Sequence, residues 1–271
     1  MTFLVHGHRV MACMCTADWR RLMLRLLIYE NSNSRLAFAM SLMGIVKTPE
    51  PSTSTATTLG NAGVPVPRGI RLRSGGTWPV DFPTPAVLKP VDGCGSQDLR
   101  RIDDFGTGAP TAPARERPPS NREPAWRLEE FVPGTAASVA VLRDSDRFYL
   151  LPPCAQHLSD DGTFQYLGGS CPLDPPLAER ARGLAAQAVR AMPPCRGYIG
   201  IDLVLGPAAD GSQDYVIEVN PRLTTSYVGL RALAETNLAA AMLDVVEGRE
   251  PKISFRSGRV DFTADGRVSL S

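Results

Sequence analysis

Although 43% of its 271 residues are hydrophobic, the chain has no apolar run near the roughly 20 residues that a membrane-spanning helix needs. Arg25, Glu30 and Arg35 break up its most apolar N-terminal region. The first twenty residues have no apolar stretch ahead of a small-residue cleavage site, so they do not read as a secretory signal. Charge of one sign is also missing. The 29 Lys and Arg nearly balance the 28 Asp and Glu, for a formal net charge of +1. That balance gives no electrostatic reason to expect nucleic acid or an anionic membrane as partner. The six cysteines (Cys13, Cys15, Cys94, Cys154, Cys171 and Cys195) follow no disulfide framework. In a chain of this length they read as reduced thiols, which points to the cytoplasm. His6, His8, Cys13 and Cys15 fit no zinc spacing. No P-loop, GxGxxG fingerprint or Ser/His/Asp arrangement occurs.

Two short β-type runs carry the clearest chemical signal. Gly200–Leu205 (GIDLVL) and Tyr215–Arg222 (YVIEVNPR) flank a polar turn over Gly206–Asp214. Each holds one acidic residue among apolar neighbours, Asp202 in the first and Glu218 in the second. Side chains two apart on a strand share a face, so Glu218 and Asn220 point the same way. An adjacent antiparallel strand would bring Asp202 beside them, with Arg222 just past the strand end. Three hard oxygen ligands suit Mg²⁺ bridging phosphates better than Zn²⁺. The plainer alternative is a half-buried sheet whose carboxylates face water. Burying a bare carboxylate is unfavourable unless it is paired or bound to metal, so other parts of the chain must decide.

Elsewhere the pattern mixes strands and helices. Residues 1–20 read as a disordered leader and 21–59 as a short N-terminal segment with a linker. Arg21–Tyr29 is a strand or buried helical turn, Arg35–Val46 a short helix, and Pro49–Thr58 a linker or helix start. Ala86–Lys89 and Trp126–Val132 read as strands, with a Pro/Gly/Arg-rich loop over Gly106–Pro124. Ser138–Leu142 and Phe148–Leu151 read as a strand pair around Asp144–Asp146. Leu177–Met192 is a helix that Asp174 could cap and Pro193 stops. A further helix falls within Ala232–Val246, and residues 251–271 read as a tail with a hairpin around Ala264–Gly266.

Lys89 ends an apolar strand and precedes the turn-rich Pro90–Ser96. A lysine there is poised to meet a phosphate, and a glycine-containing loop can offer backbone N–H groups to the same anion. Glu129–Val132 (EEFV) can present backbone groups to an adenine edge. Taken singly, each has an ordinary alternative, a solvated turn and an amphipathic strand.

In this order, the lysine–glycine loop, the EEFV segment, the Asp202 strand and the Glu218-x-Asn220-Pro-Arg222 strand resemble the ATP-grasp superfamily over about Gly60–Gly248. The resemblance implies an α+β fold, with two α+β subdomains clasping ATP over residues 60–250 and a shortened N-terminal α/β segment. It implies that Lys89 contacts phosphate and that Gly93, Gly95 and Ser96 lie in the phosphate loop. Glu129, Glu130, Phe131 and Val132 would form the adenine hinge. Asp202, Glu218 and Asn220 would hold Mg²⁺, with Mn²⁺ as an alternative ion, and Arg222 would act beside the transferred phosphoryl group. The segments at Lys89–Asp98, Gln156–Gly162, Tyr166–Gly169 and Asn220–Gly229 are similar to the ligase group that includes tyramine–glutamate ligase.

The activity so implied is an ATP- and Mg²⁺-dependent carboxylate–amine ligase working through an acyl phosphate. Its partners would be a small-molecule carboxylate and an amine, and a homodimer is compatible with the resemblance. The sequence departs from the family's pattern in three places. Thr135–Ala137 offers no acid for the ribose hydroxyls, the region of Ser52–Thr55 has no lysine, and the N-terminal segment is short. Those departures keep a second reading open, a nucleotide-binding protein of weak catalytic power with a regulatory or scaffold role. His157, read in a loop, is a candidate base for the amine or simply polar surface.

Overall fold

The computed structural model describes residues 2–5, 8–11, 55–79, 81–91, 98–105, 113 and 125–270. Within the segment read as a leader, β1 (Thr2–Val5) and β2 (His8–Met11) pair antiparallel. The elements expected over 21–29 and 35–46 lie outside the described residues, as does all of the 106–124 loop except Pro113. The stretch read as a linker or helix start contains helix α1 (Thr55–Asn61), which buries Leu59. The chain divides into two units, one of Met1–Val66, Gly134–His157 and Gly168–Ser271, the other of Pro67–Pro133 and Leu158–Leu167.

The smaller unit is built on a four-stranded sheet. Its strands are β3 (Gly69–Arg73), β4 (Ala86–Pro90), β5 (Arg100–Ile102) and β6 (Ala125–Glu130), in the order β3-β6-β4-β5. Each neighbouring pair is antiparallel. Along β4, Ala86, Leu88 and Pro90 are buried while Val87 and Lys89 are only partly so. That alternation follows from the period of two in AVLKP. Ala86 and Leu88 join Leu72, Phe82, Trp126 and Leu128 in one apolar cluster. Lys89 is thereby left on the opposite face.

The larger unit holds β7 (Thr135–Arg143), β8 (Phe148–Leu150), β9 (Cys154–Leu158) and β10 (Tyr166–Cys171). It adds β11 (Gly197–Leu205), β12 (Tyr215–Asn220), β13 (Val260–Thr263) and β14 (Val268–Leu270). The order is β12-β11-β7-β9-β10-β13-β14, with β8 paired to β7. Residues 264–267 turn between β13 and β14, and this hairpin extends the sheet through β10.

Helix α2 (Pro175–Ala191) covers one face of the β7–β11–β12 region. Its apolar stripe of Ala178, Ala181, Leu184, Ala185, Ala188 and Val189 repeats every three or four residues. The stripe packs on Ala137, Val139 and Val141 of β7 and on Ile199, Ile201, Leu203 and Leu205 of β11. Asp174 occupies the N-cap position but its side chain makes no capping bond. Instead Asp174 lies 3.9 Å from Arg259. Prolines at the first helical positions remove N–H groups that would otherwise need a cap. The helix expected within Ala232–Val246 is α4 (Leu238–Val246), and a helix not expected from the sequence, α3 (Ser226–Leu233), precedes it. Asn237 ends the break between them, accepting the Ala240 N–H at 3.0 Å.

Because the odd-numbered residues of β7 and β11 enter the core under α2, the even-numbered ones face away. Ser138, Gly200 and Asp202 therefore share the opposite face. On β12 the register shifts between Asp202 and Leu203, which pair with Glu218 and Val216. The extra residue, Ile217, is a β-bulge. It lets Val216 and Val219 both serve the core while Glu218 and Asn220 stay beside Asp202.

Candidate functional site

The acidic face of the larger unit forms as the alternation requires. Asp202 stands directly across from Glu218, and Gly200 across from Asn220. Asn220 is buried and donates its Nδ2 to Asp202 Oδ2 at 2.8 Å. The other carboxylate oxygen, Oδ1, accepts from Gln156 Nε2, also at 2.8 Å. Arg222 donates Nη2 to Asn220 Oδ1 at 3.1 Å and Nη1 to the Leu223 carbonyl at 3.3 Å. Asp202, Glu218, Asn220 and Arg222 are thus brought together. Gly200 is needed because Thr224 packs against it, and a Cβ there would lie 2.3 Å from Thr224 Cγ2.

The electrostatics of this face are unbalanced. Burial and the negative charge of Glu218 push the Asp202 carboxyl up to about 7, against partial relief from Arg222 and the two amide donors. Among the described residues neither Asp202 nor Glu218 forms an ion pair. Two adjacent carboxylates and one amide oxygen, all hard donors, fit a divalent cation such as Mg²⁺ or Mn²⁺. Asn220 Oδ1 has two lone pairs, so its bond from Arg222 leaves room for a cation. Ser138, the β7 residue across from Asp202, adds a buried hydroxyl with no hydrogen-bond partner among the described residues.

In the smaller unit, Lys89 Nζ lies 2.6 Å from Glu129 Oε2. Arg127, the cross-strand neighbour of Lys89, places Nε 2.5 Å from Glu129 Oε1. The buried Glu129 carboxylate therefore serves two cations. Gly69 makes room for the triad, since a Cβ there would come within 2.7 Å of Arg127 Nη2. The N–H groups of Glu130 and Phe131 are bonded to the carbonyls of Arg68 and Pro85 at 2.9 and 3.0 Å. Phe131 packs under the Arg101 guanidinium at 4.5 Å and stacks with Phe164 at 6.1 Å between centroids. Val132 follows the strand and is partly buried. Gly93, Gly95 and Ser96 lie outside the described residues.

One residue stands otherwise than the sequence suggested. His157 belongs to strand β9, not to a loop, and lies 3.4 Å from Ser170 Oγ. Alternation turns it away from Asp202, while its neighbour Gln156 reaches the acidic face. Gln156 and Ser138 were both missed. A short polar strand such as CAQHL has no period strong enough to mark it, and pairing alone places Ser138 beside Asp202.

The fold is α+β, with paired carboxylates, an amide and an arginine gathered at the end of an antiparallel strand. Residues 52–226 match the ATP-grasp domain family, and the chain belongs to it. It is 25% identical over 181 residues to the tyramine–L-glutamate ligase of Methanocaldococcus fervens, covering 67% of this chain and 50% of that protein. The tyramine–L-glutamate ligase of Methanocaldococcus jannaschii is 28% identical over 138 residues, with 51% and 41% covered. The chain thus spans about half the length of the curated relatives it matches. The crystal structure of an L-amino acid ligase from Bacillus licheniformis superposes with a TM-score of 0.55 at 19% identity, covering 76% of this chain and 51% of that one. At that identity the likeness concerns the fold.

Proposed function

We propose that the protein is an ATP- and Mg²⁺-dependent carboxylate–amine ligase. The observation that carries this reading is the acidic face, where Asp202 and Glu218 stand side by side, neither of them in an ion pair among the described residues, and Asp202 is pushed up to about 7. Asp202, Glu218 and Asn220 would hold the metal. When bound, it supplies positive charge to the phosphate oxygens of ATP. Arg222, held by Asn220 Oδ1 and the Leu223 carbonyl, offers its guanidinium to the transferred phosphoryl group. Lys89, oriented by Glu129, is the phosphate contact in the smaller unit. Gly93, Gly95 and Ser96 would serve as the phosphate loop, and Glu129–Val132 as the adenine hinge. With the Glu130 and Phe131 N–H groups already bonded, Val132 is the residue whose backbone would meet the base.

The reaction then needs positioning and charge more than a protein nucleophile. A substrate carboxylate oxygen attacks the γ-phosphorus and ADP leaves. An amine attacks the carbonyl carbon of the acyl phosphate, phosphate leaves, and the nitrogen gives up a proton to yield the amide. The two curated relatives named as tyramine–L-glutamate ligases make glutamate and tyramine the first pair to test. Purified protein with Mg-ATP and this pair should release ADP only when both substrates are present. Asp202→Ala and Glu218→Ala should each lower that rate by at least about a hundredfold. Should ATP bind while no carboxylate–amine pair releases ADP, the chain is a nucleotide-binding protein of another role and the ligase reading fails.

A further inference from the structure

We propose that Gln156 is a positioning residue that fixes the Asp202 carboxylate from outside the strands carrying the metal face. The inference rests on the metal reading given above. Gln156 lies on β9, which is separated from the Asp202 strand β11 by the whole of β7. At about 4.8 Å between neighbouring strands, roughly 10 Å lies between the two backbones. A glutamine can bridge that gap over the sheet surface only where the intervening strand is low. β7 presents Ser138 there, the cross-strand partner of both Asp202 and Cys154. Gln156 is two residues from Cys154 and shares its face. Ala136, two residues from Ser138, keeps the same face of β7 low. The bridge passes over Ser138 without using it, because the serine hydroxyl has no hydrogen-bond partner among the described residues.

The chemistry of the bridge suits its place. With Gln156 on Oδ1 and Asn220 on Oδ2, each Asp202 oxygen is oriented by one amide N–H and retains lone-pair capacity for a cation. A glutamine carries no charge, so it orients the carboxylate without neutralising it. A lysine or arginine at the same position would orient it equally well but cancel the charge that draws the metal. Partners one shell out from a metal commonly change its affinity by about 10- to 100-fold when removed.

The test compares wild type with Gln156→Met, which keeps length without N–H donors, with Gln156→Ala, and with Asp202→Ala. Mn²⁺ binding is read from the loss of its free electron paramagnetic resonance signal in the presence of a non-hydrolysable ATP analogue. Metal-free unfolding is followed in parallel. Both Gln156 variants should raise the Mn²⁺ dissociation constant at least about tenfold while the metal-free unfolding midpoint stays put. The Mg²⁺ concentration for half-maximal turnover should rise by a similar factor, with most of kcat recovered at saturating Mg²⁺. Unchanged Mn²⁺ affinity in both variants, where Asp202→Ala abolishes binding, overturns the role of Gln156 alone. A weakened affinity matched by a large drop in the metal-free midpoint makes Gln156 a structural strut and overturns it too. If wild type and Asp202→Ala bind Mn²⁺ equally poorly, the metal reading itself is wrong and this role falls with it.

Discussion

Glu129 on β6 and Asp202 on β11 are both acidic residues inside largely apolar strands, and both accept two bonds from nitrogen donors. Their donors differ in charge. Glu129 sits between Lys89 and Arg127, so its negative charge is more than matched within the smaller unit. Asp202 receives two neutral amides, from Gln156 and Asn220, and faces a second carboxylate across the strand pair. Equivalent hydrogen-bond counts therefore produce opposite electrostatics. Cationic donors offset the Glu129 charge, whereas Asp202, held by neutral donors beside Glu218, keeps negative charge that suits a cation. A strand carboxylate is thus classed by the charge of its donors and not by their number.

The contrast can be broken by substitution. The largest effect is expected at Glu129. Glu129→Ala leaves Lys89 and Arg127 facing each other across a strand pair, and removing one partner of a buried ion pair typically costs about 3–5 kcal/mol. Urea unfolding that registers a loss of less than about 1 kcal/mol would show that solvent already screens the triad. A smaller effect of opposite character is expected at Asp202. Its folded-state carboxyl, pushed up to about 7, lies above its unfolded value of about 3.9. The folded protein then holds the extra proton between those values, so metal-free stability is full below about pH 4 and falls as pH rises through about 7. Unfolding midpoints with chelator at pH 5 and pH 8 should show this fall in wild type and a shallower one in Asp202→Ala. Equal slopes would mean the carboxylate is not held in an unfavourable environment. Least of all is expected at Ser138. Losing an unpartnered buried hydroxyl in Ser138→Ala should leave stability unchanged or raise it by up to about 1 kcal/mol. A clear loss would reveal a partner for the hydroxyl.

Several elements were legible because local patterns are strong. The alternation in AVLKP, the alanine-rich stripe of Pro175–Ala191 and the paired runs Gly197–Leu205 and Tyr215–Asn220 declare themselves at their own period. The same-face placement of Glu218 and Asn220 follows from strand geometry alone. Other features left no such mark. Gly69–Arg73 and Cys154–Leu158 are short strands held by their neighbours, so tertiary pairing outweighs a weak local signal. The helix beginning at Ser226 follows directly on the Asn220–Thr225 turn with no side-chain cap to mark its start, and the break at Ala234–Asn237 depends on an Asn cap. Asp174 looked like a cap because of its residue type, but prolines at the next two positions leave it little to cap.

By itself the sequence determined which family the chain belongs to. The order of Lys89, Glu129–Val132, Asp202 and Glu218-x-Asn220-Pro-Arg222 is a linear property, and it is enough to place the chain in the ATP-grasp family. Strand alternation, being local, also determined that Glu218 and Asn220 share a face. Only the tertiary structure decided what surrounds each of them. The bulge at Ile217 reconciles two core valines with two outward polar residues, and strand order brings Gln156 across β7 to Asp202. Cross-strand register sets Arg127 beside Lys89 on Glu129. These contacts join residues far apart along the chain, and a charge's environment depends on distance in space, which separation in sequence does not encode.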